Sequence, residues 1–122
     1  MDKINKRYAF FLLLKASKDW LALSRTDRAE IAGNCLQEAV KASSGNISFR
    51  HFDAEAFHAP CSDVMLVETG DPWHHYQFME KLRDSPLIFK GYFDVLDVIP
   101  TIEEGYVEYE REVGTADSSS AS

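Results

Sequence analysis

The chain has 122 residues, 45% of them hydrophobic, enough for one domain with its own core and too few for two. A net charge of −7 and an isoelectric point near 5.0 argue against a nucleic-acid surface, which needs a basic stripe. Two cysteines, Cys35 and Cys61, make no disulfide framework and are expected as free thiols in a soluble cytoplasmic protein. No apolar run approaches the roughly 18 residues that span a bilayer.

Lys3, Lys6 and Arg7 ahead of an apolar run look like the start of a secretory leader. The run is short, however, and Lys15, Lys18 and Asp19 follow it directly, so a strand is the better reading. Tyr8–Lys15 (YAFFLLLK) is continuously apolar, the pattern of a central strand covered on both faces. A turn of helix carries Trp20, Leu21 and Leu23. Ser24-Arg25-Thr26-Asp27 then has a side-chain oxygen at the cap and an acid three residues on. Ile31, Ala32, Cys35, Leu36, Ala39 and Val40 continue at helical spacing, with Arg28, Glu30, Asn34, Glu38 and Lys41 mostly outside that stripe. Gly45 suits the left-handed cap that ends the helix.

Ile47–Asp53 alternates, which predicts a second strand, and Ala54–Pro60 is expected to be irregular because Pro60 interrupts pairing. Ser62–Thr69 reads as a third strand. Asp71 caps a second helix with Pro72 at its first position. His75, Phe78, Met79 and Leu82 form its inward stripe, and Pro86 limits it. Tyr92–Ile99 is the last strand, alternating Phe93, Val95 and Ile99 with Tyr92, Leu96 and Val98. A short helix over Ile102–Val113 follows, and Gly114–Ser122 is expected as a disordered polar tail.

This order predicts an α+β domain over residues 1–113, the ferredoxin-like βαββαβ arrangement with a C-terminal helix: a four-stranded antiparallel sheet with helices on one face. The other face is left open, yet strands one and four are apolar on both sides. A second copy of the chain is the simplest cover, giving a homodimer of the dimeric α/β-barrel kind.

Titratable side chains are densest in Ile47–Thr69, which holds Arg50, His51, Asp53, Glu55, His58, Cys61 and Asp63. Alternation puts His51 and Asp53 on one strand face and Arg50 and Phe52 on the other. A His–carboxylate pair in a dry cavity can remove a proton from an acidic carbon or phenol while an arginine holds the resulting anion. The catalytic candidates are therefore His51, His58, Arg50 and Asp53, against the alternative of a solvated hairpin end. Trp73, Tyr76, His75 and Phe52 are the candidate substrate-binding residues. His75 is read first as a core histidine and second as a pocket base or axial haem ligand. His58-x-x-Cys61, completed by His51 or Asp53, has a chelating spacing, but the pattern is unspecific. His74 and His75 point about 100° apart on a helix. No metal and no cofactor is assigned on these grounds, and both cysteines read as small core hydrophobes.

Asp53–Asp63 (DAEAFHAPCSD), Leu82–Pro86 (LRDSP) and Tyr92–Glu110 (YFDVLDVIPTIEEGYVEYE) resemble the darcynin family of small bacterial proteins. The opening FFLLLKAS with Trp20-Leu21 is similar as well. The resemblance implies the dimeric α/β-barrel superfamily, which holds cofactor-free monooxygenases, polyketide cyclases, haem-degrading enzymes, decarboxylases and isomerases beside proteins with no assigned reaction. It carries over no catalytic residue. The expected function is a small homodimeric enzyme acting on an apolar or aromatic, polyketide-like metabolite. Its chemistry would be acid–base: cyclisation, isomerisation or cofactor-free oxygenation in a pocket between sheet and helices. The alternatives are a non-catalytic dimeric ligand-binding or regulatory module, and a haem- or metal-dependent enzyme. No nucleic-acid or membrane partner is expected.

Overall fold

Strand β1 (Tyr8–Ala16) lies inside a four-stranded antiparallel sheet of order β2-β3-β1-β4, flanked by β3 (Asp63–Thr69) and β4 (Phe93–Ile102), with β2 (Ile47–Asp53) beyond β3. The computed structural model describes residues 6–121, with side-chain environments through Gly114. Lys3 and the far end of the predicted tail thus have side chains outside the described residues. Tyr8–Leu14, the segment that resembles a leader, is the heart of the sheet.

Two helical connections arise where the sequence places them. Helices α1 (Lys18–Ala22) and α2 (Arg25–Ala42) link β1 to β2, while α3 (Pro72–Arg83) and the single turn α4 (Pro86–Phe89) link β3 to β4. The Ser24 hydroxyl accepts from the Asp27 N–H at 3.0 Å, and the Asp71 carboxylate accepts from the Trp73 N–H at 2.9 Å, so both predicted caps form and satisfy otherwise orphaned donors. Gly45 at φ +76° ends α2, next to Ser44 at φ +57°, in the left-handed region that glycine adopts without a Cβ penalty.

One face of the sheet and the inner stripes of the helices make the core. Phe10, Leu12 and Leu14 of β1 and Met65 and Val67 of β3 meet Cys35 and Ala39 of α2 and Phe78 and Leu82 of α3, all buried. Leu12, Val67, Ala39 and Phe78 are completely enclosed. Both cysteines are buried free thiols, Cys35 inside this cluster.

Strand β4 departs from simple alternation. Leu13 pairs with Asp97 but Leu14 with Val95, so Leu96 is an extra residue in a β-bulge. A bulge reverses the pleat beyond it. Phe93 and Val95 on one side of the bulge and Val98 on the other all pack on the core, whereas Leu96 and Ile99 are exposed. The grouping of Ile99 with Phe93 and Val95 is therefore corrected. The strand also runs through Pro100 to Ile102 rather than stopping at Ile99. As the outermost strand it bonds on one edge only, which is where proline is tolerated.

Helix α5 runs over Gly105–Ala121, three residues later in starting than the sequence pattern predicts. Its backbone stays helical where that pattern predicts a tail from Gly114. Tyr106 and Tyr109 on it are largely exposed. No helix among the described residues is long and apolar enough to cross a membrane.

Candidate functional site

At one end of the sheet, where β1 finishes and β3 begins, a cavity of about 330 Å³ opens between the sheet and helices α1 to α4. Its size lies near the lower limit for small-molecule sites, about 300 to 1,000 Å³, so it fits a ligand of one or two rings. Trp20, Leu36, Met65, Leu82 and Phe93 supply apolar wall, and His51, Asp53, Glu55, Asp63 and Arg28 supply the polar part.

The polar wall is built by strand register. Asp53 pairs with Asp63 and His51 with Met65 across β2 and β3, so all four side chains point to the helix-covered face. His51 Nε2 lies 2.6 Å from Asp63 Oδ2 and 3.9 Å from Asp53 Oδ1. Asp63 is buried, and its other oxygen accepts from the Ser62 hydroxyl at 2.5 Å. Ser62 is itself fixed: its Oγ accepts from the Ala16 N–H at 2.8 Å, and its N–H donates to the Leu14 carbonyl at 2.9 Å. The chain Ala16–Ser62–Asp63–His51 therefore ties the imidazole to the end of the central strand. A carboxylate only accepts, so the 2.6 Å contact assigns the proton to Nε2. Nδ1 is left as the lone-pair nitrogen, without a protein partner among the described residues. This is the arrangement in which a carboxylate orients a general base.

Two of the four proposed catalytic residues, His51 and Asp53, line the cavity. Arg50 and Phe52 do not, because they point to the opposite face. There the Arg50 guanidinium sits 3.6 Å from Glu68 and over the Phe52 ring at 5.8 Å. Arg50 therefore cannot hold an anion formed beside His51. His58 is exposed in the irregular β2–β3 connection and, among the described residues, bonds through its backbone alone, its N–H donating to the Ala54 carbonyl. Trp73 and Tyr76 stack on each other at 5.1 Å on the exposed side of α3, away from the cavity. His75 faces inward but lies flat on Phe10, ring centroids 3.6 Å apart, and is not part of the cavity wall. Burial lowers its pKa to about 4, since nothing compensates the lost hydration of the charged form. Its Nδ1 is buried without a hydrogen-bond partner among the described residues.

Asp63, Ser62 and Arg28 complete the site. Asp63 stands in the titratable cluster, but its pairing with His51 emerges only from the β2–β3 register. Arg28 reads as an outward residue of α2. Its Nε donates to the Leu23 carbonyl at 3.2 Å, which bends the side chain back over the cavity. His51, Asp53 and Asp63 could also hold a metal, each offering one ligand atom with all three atoms within 4.8 Å of one another. One imidazole nitrogen and two carboxylate oxygens suit a divalent cation with open positions. A haem held through Nδ1 of His75 does not fit these residues, because that nitrogen is buried and the imidazole lies flat on Phe10.

The family profile described as darcynin, a domain of unknown function, matches residues 2–118. The chain belongs to the darcynin family. Darcynin from Chromobacterium violaceum is 43% identical over 67 residues, covering 55% of this chain and 85% of that protein. Darcynin 1 from Acinetobacter baumannii is 37% identical over 90 residues, covering 74% of this chain and 99% of that one. Among solved structures, chlorite dismutase from Candidatus Nitrospira defluvii in complex with imidazole superposes with a TM-score of 0.64 at 14% identity, over 79% of this chain. A second protein named as a chlorite dismutase gives 0.65 at 19% identity over 77%. The chain spans about 40% of the length of these solved chains, 39% and 42% respectively. At such identity the likeness shows the ferredoxin-like fold and nothing of the chemistry.

Proposed function

We propose that this member of the family is an enzyme of acid–base chemistry on a small apolar or aromatic metabolite, with His51 as the base. The observation that carries the reading is the His51–Asp63 pair on the polar wall of a cavity whose remaining walls are mostly apolar. The Nδ1 lone pair takes a proton from a carbon next to a carbonyl, the C–H electron pair becomes the new C=C bond as the carbonyl π pair moves to oxygen, and an enolate results. The imidazolium so formed is stabilised by the Asp63 carboxylate, whose place is fixed by Ser62. Cyclisation, isomerisation and cofactor-free oxygenation all begin with this step.

Proton abstraction can be read without knowing the product. In D₂O, a panel of enolisable aryl ketones and small aromatic polyketide-like compounds should exchange the acidic hydrogen for deuterium, followed by proton NMR. His51→Ala should slow the exchange by at least about 100-fold, the usual share of a positioned base. Equal exchange by both proteins would sink the assignment. Ligands that bind unchanged to both would instead favour a non-catalytic binding module.

The metal-ligating geometry of His51, Asp53 and Asp63 favours a second reading, a divalent-metal enzyme using the same wall. Asp53→Asn separates the two. It should leave exchange nearly unchanged if His51 acts alone, and should remove both bound metal, by elemental analysis, and activity if a cation is required.

The homodimer belongs to this proposal. Phe11, Leu13, Val64 and Ile99 lie on the uncovered sheet face with Leu96 and Phe52, and the last three are well exposed: Ile99 43%, Leu96 48%, Phe52 48%. That much contiguous apolar surface is what a second copy would cover. Ile99→Asp combined with Phe52→Asp should convert a dimer to a monomer in sedimentation velocity. A wild-type protein that is monomeric at micromolar concentration would refute it.

A further inference from the structure

We infer that Arg28 is the group that recognises the substrate, and that the substrate class is a small apolar or aromatic compound whose carbonyl or phenolic oxygen becomes anionic in the cavity. The inference rests on the proton-abstraction reading and adds to it where the negative charge goes. Among the described residues that line the cavity, Arg28 is the one arginine or lysine. It is partly buried, and its Nε–H is taken by the Leu23 carbonyl at 3.2 Å. Its terminal nitrogens make no salt bridge within 4 Å among the described residues, although three carboxylates line the same cavity. An arginine tethered through Nε presents a rigid fork of the remaining N–H groups.

The carboxylates do not cancel this cation. Asp63 is committed to His51 and Ser62, while the Asp53 side chain is 77% exposed and Glu55 is exposed as well, so the fields of these two are screened by water. Arg28 also stands in the first turn of the 18-residue helix α2, where the positive end of the helix dipole adds to its charge. An oxygen that gains charge as His51 removes a proton would meet the guanidinium in a site walled by Trp20 and Phe93. Arg50, the arginine nearest His51 in sequence, is turned to the opposite face by the strand pleat. The fold places Arg28 on the correct side of the sheet.

Pentafluorophenolate, ionised at neutral pH, mimics such an enolate, and pentafluorotoluene is its neutral counterpart. Binding of each is followed by fluorine NMR titration of the full-length protein. Wild type should hold the phenolate at least about tenfold more tightly, the low end of one charge-assisted pair. Arg28→Met should reduce that preference to within about twofold while leaving pentafluorotoluene binding unchanged, and Arg28→Lys should retain part of it. A wild type that binds both probes equally, or binds neither, overturns the inference, as does an Arg28→Met protein that is folded by circular dichroism and keeps the preference. Failure of the base assignment looks different: the phenolate preference persists in His51→Ala and deuterium exchange is the same with and without His51.

Discussion

Between pH 6.5 and pH 4 the protein should lose on the order of 3 kcal/mol of stability that a His75→Phe variant retains. The cause is the imidazole lying flat on Phe10, buried, with Nδ1 unpartnered among the described residues. Its folded pKa is lowered from 6.5 to about 4. The unfolded chain therefore binds the proton first as pH falls. The contribution is complete above pH 6.5, declines through the window and is gone below pH 4. Phenylalanine keeps the stack on Phe10 without a titratable group. Denaturant unfolding at half-unit steps, wild type against variant, cancels every contribution that the two proteins share. Parallel curves from pH 6.5 to 4 would show that His75 is not buried as neutral imidazole. A second consequence is functional: substitution here should not change ligand binding in the cavity, since His75 does not line it.

Phe78→Ala should cost about 3 to 5 kcal/mol, the range for removing a fully enclosed aromatic ring. Phe78 has no exposed surface and stands at the centre of α3, its ring 6.3 Å from that of Phe49 on β2. It joins the helix that carries Leu82 into the cavity wall to the strand that carries His51. A thermal scan should show the midpoint fall by on the order of 15 °C in a domain of this size. Phe78→Leu keeps much of the volume and should cost roughly half or less. If alanine left the midpoint within a few degrees, the packing of α3 on the sheet would be wrong. Ligand affinity in the cavity should weaken in Phe78→Ala even where the variant remains folded, because the wall at Leu82 loses its support.

How much of this was legible in the sequence differs from element to element, and the reasons are physical. Caps and periods are local, so Ser24, Asp71, Pro72, Gly45 and the whole of β2 could be read directly. From β2 came the separation of His51 and Asp53 from Arg50 and Phe52, which needs only the two-residue pleat. Trp73 and Tyr76 could have been set aside by a similar local argument. Steps of roughly 100° per residue turn both away from the stripe of His75, Phe78 and Leu82. Asp63 as the partner of His51 was not available, because it depends on hairpin register across a nine-residue connection, residues 54–62. Arg28 was hidden for a related reason. Its position on the helical wheel reads as outward, and only the backward bond to Leu23 O turns it over the cavity. The bulge at Leu96 carries no glycine or other marker, so the phase of β4 was beyond local reading.

The placement of β1 inside the sheet also governs how the chain must assemble. Its seven core pairings with β3 join residues about 50 to 60 apart, and those with β4 join residues more than 75 apart. Such separations make for slow, late closure, since loop entropy must be overcome before the contacts form. During synthesis β1 leaves the ribosome before β3 and β4 and therefore waits for both neighbours. Until Phe93–Ile102 has emerged, Phe10, Leu12 and Leu14 have an unpaired edge and no closed cavity beside them. Phe93 at the start of that strand completes the cavity wall, so the strand that closes the sheet edge also closes the pocket.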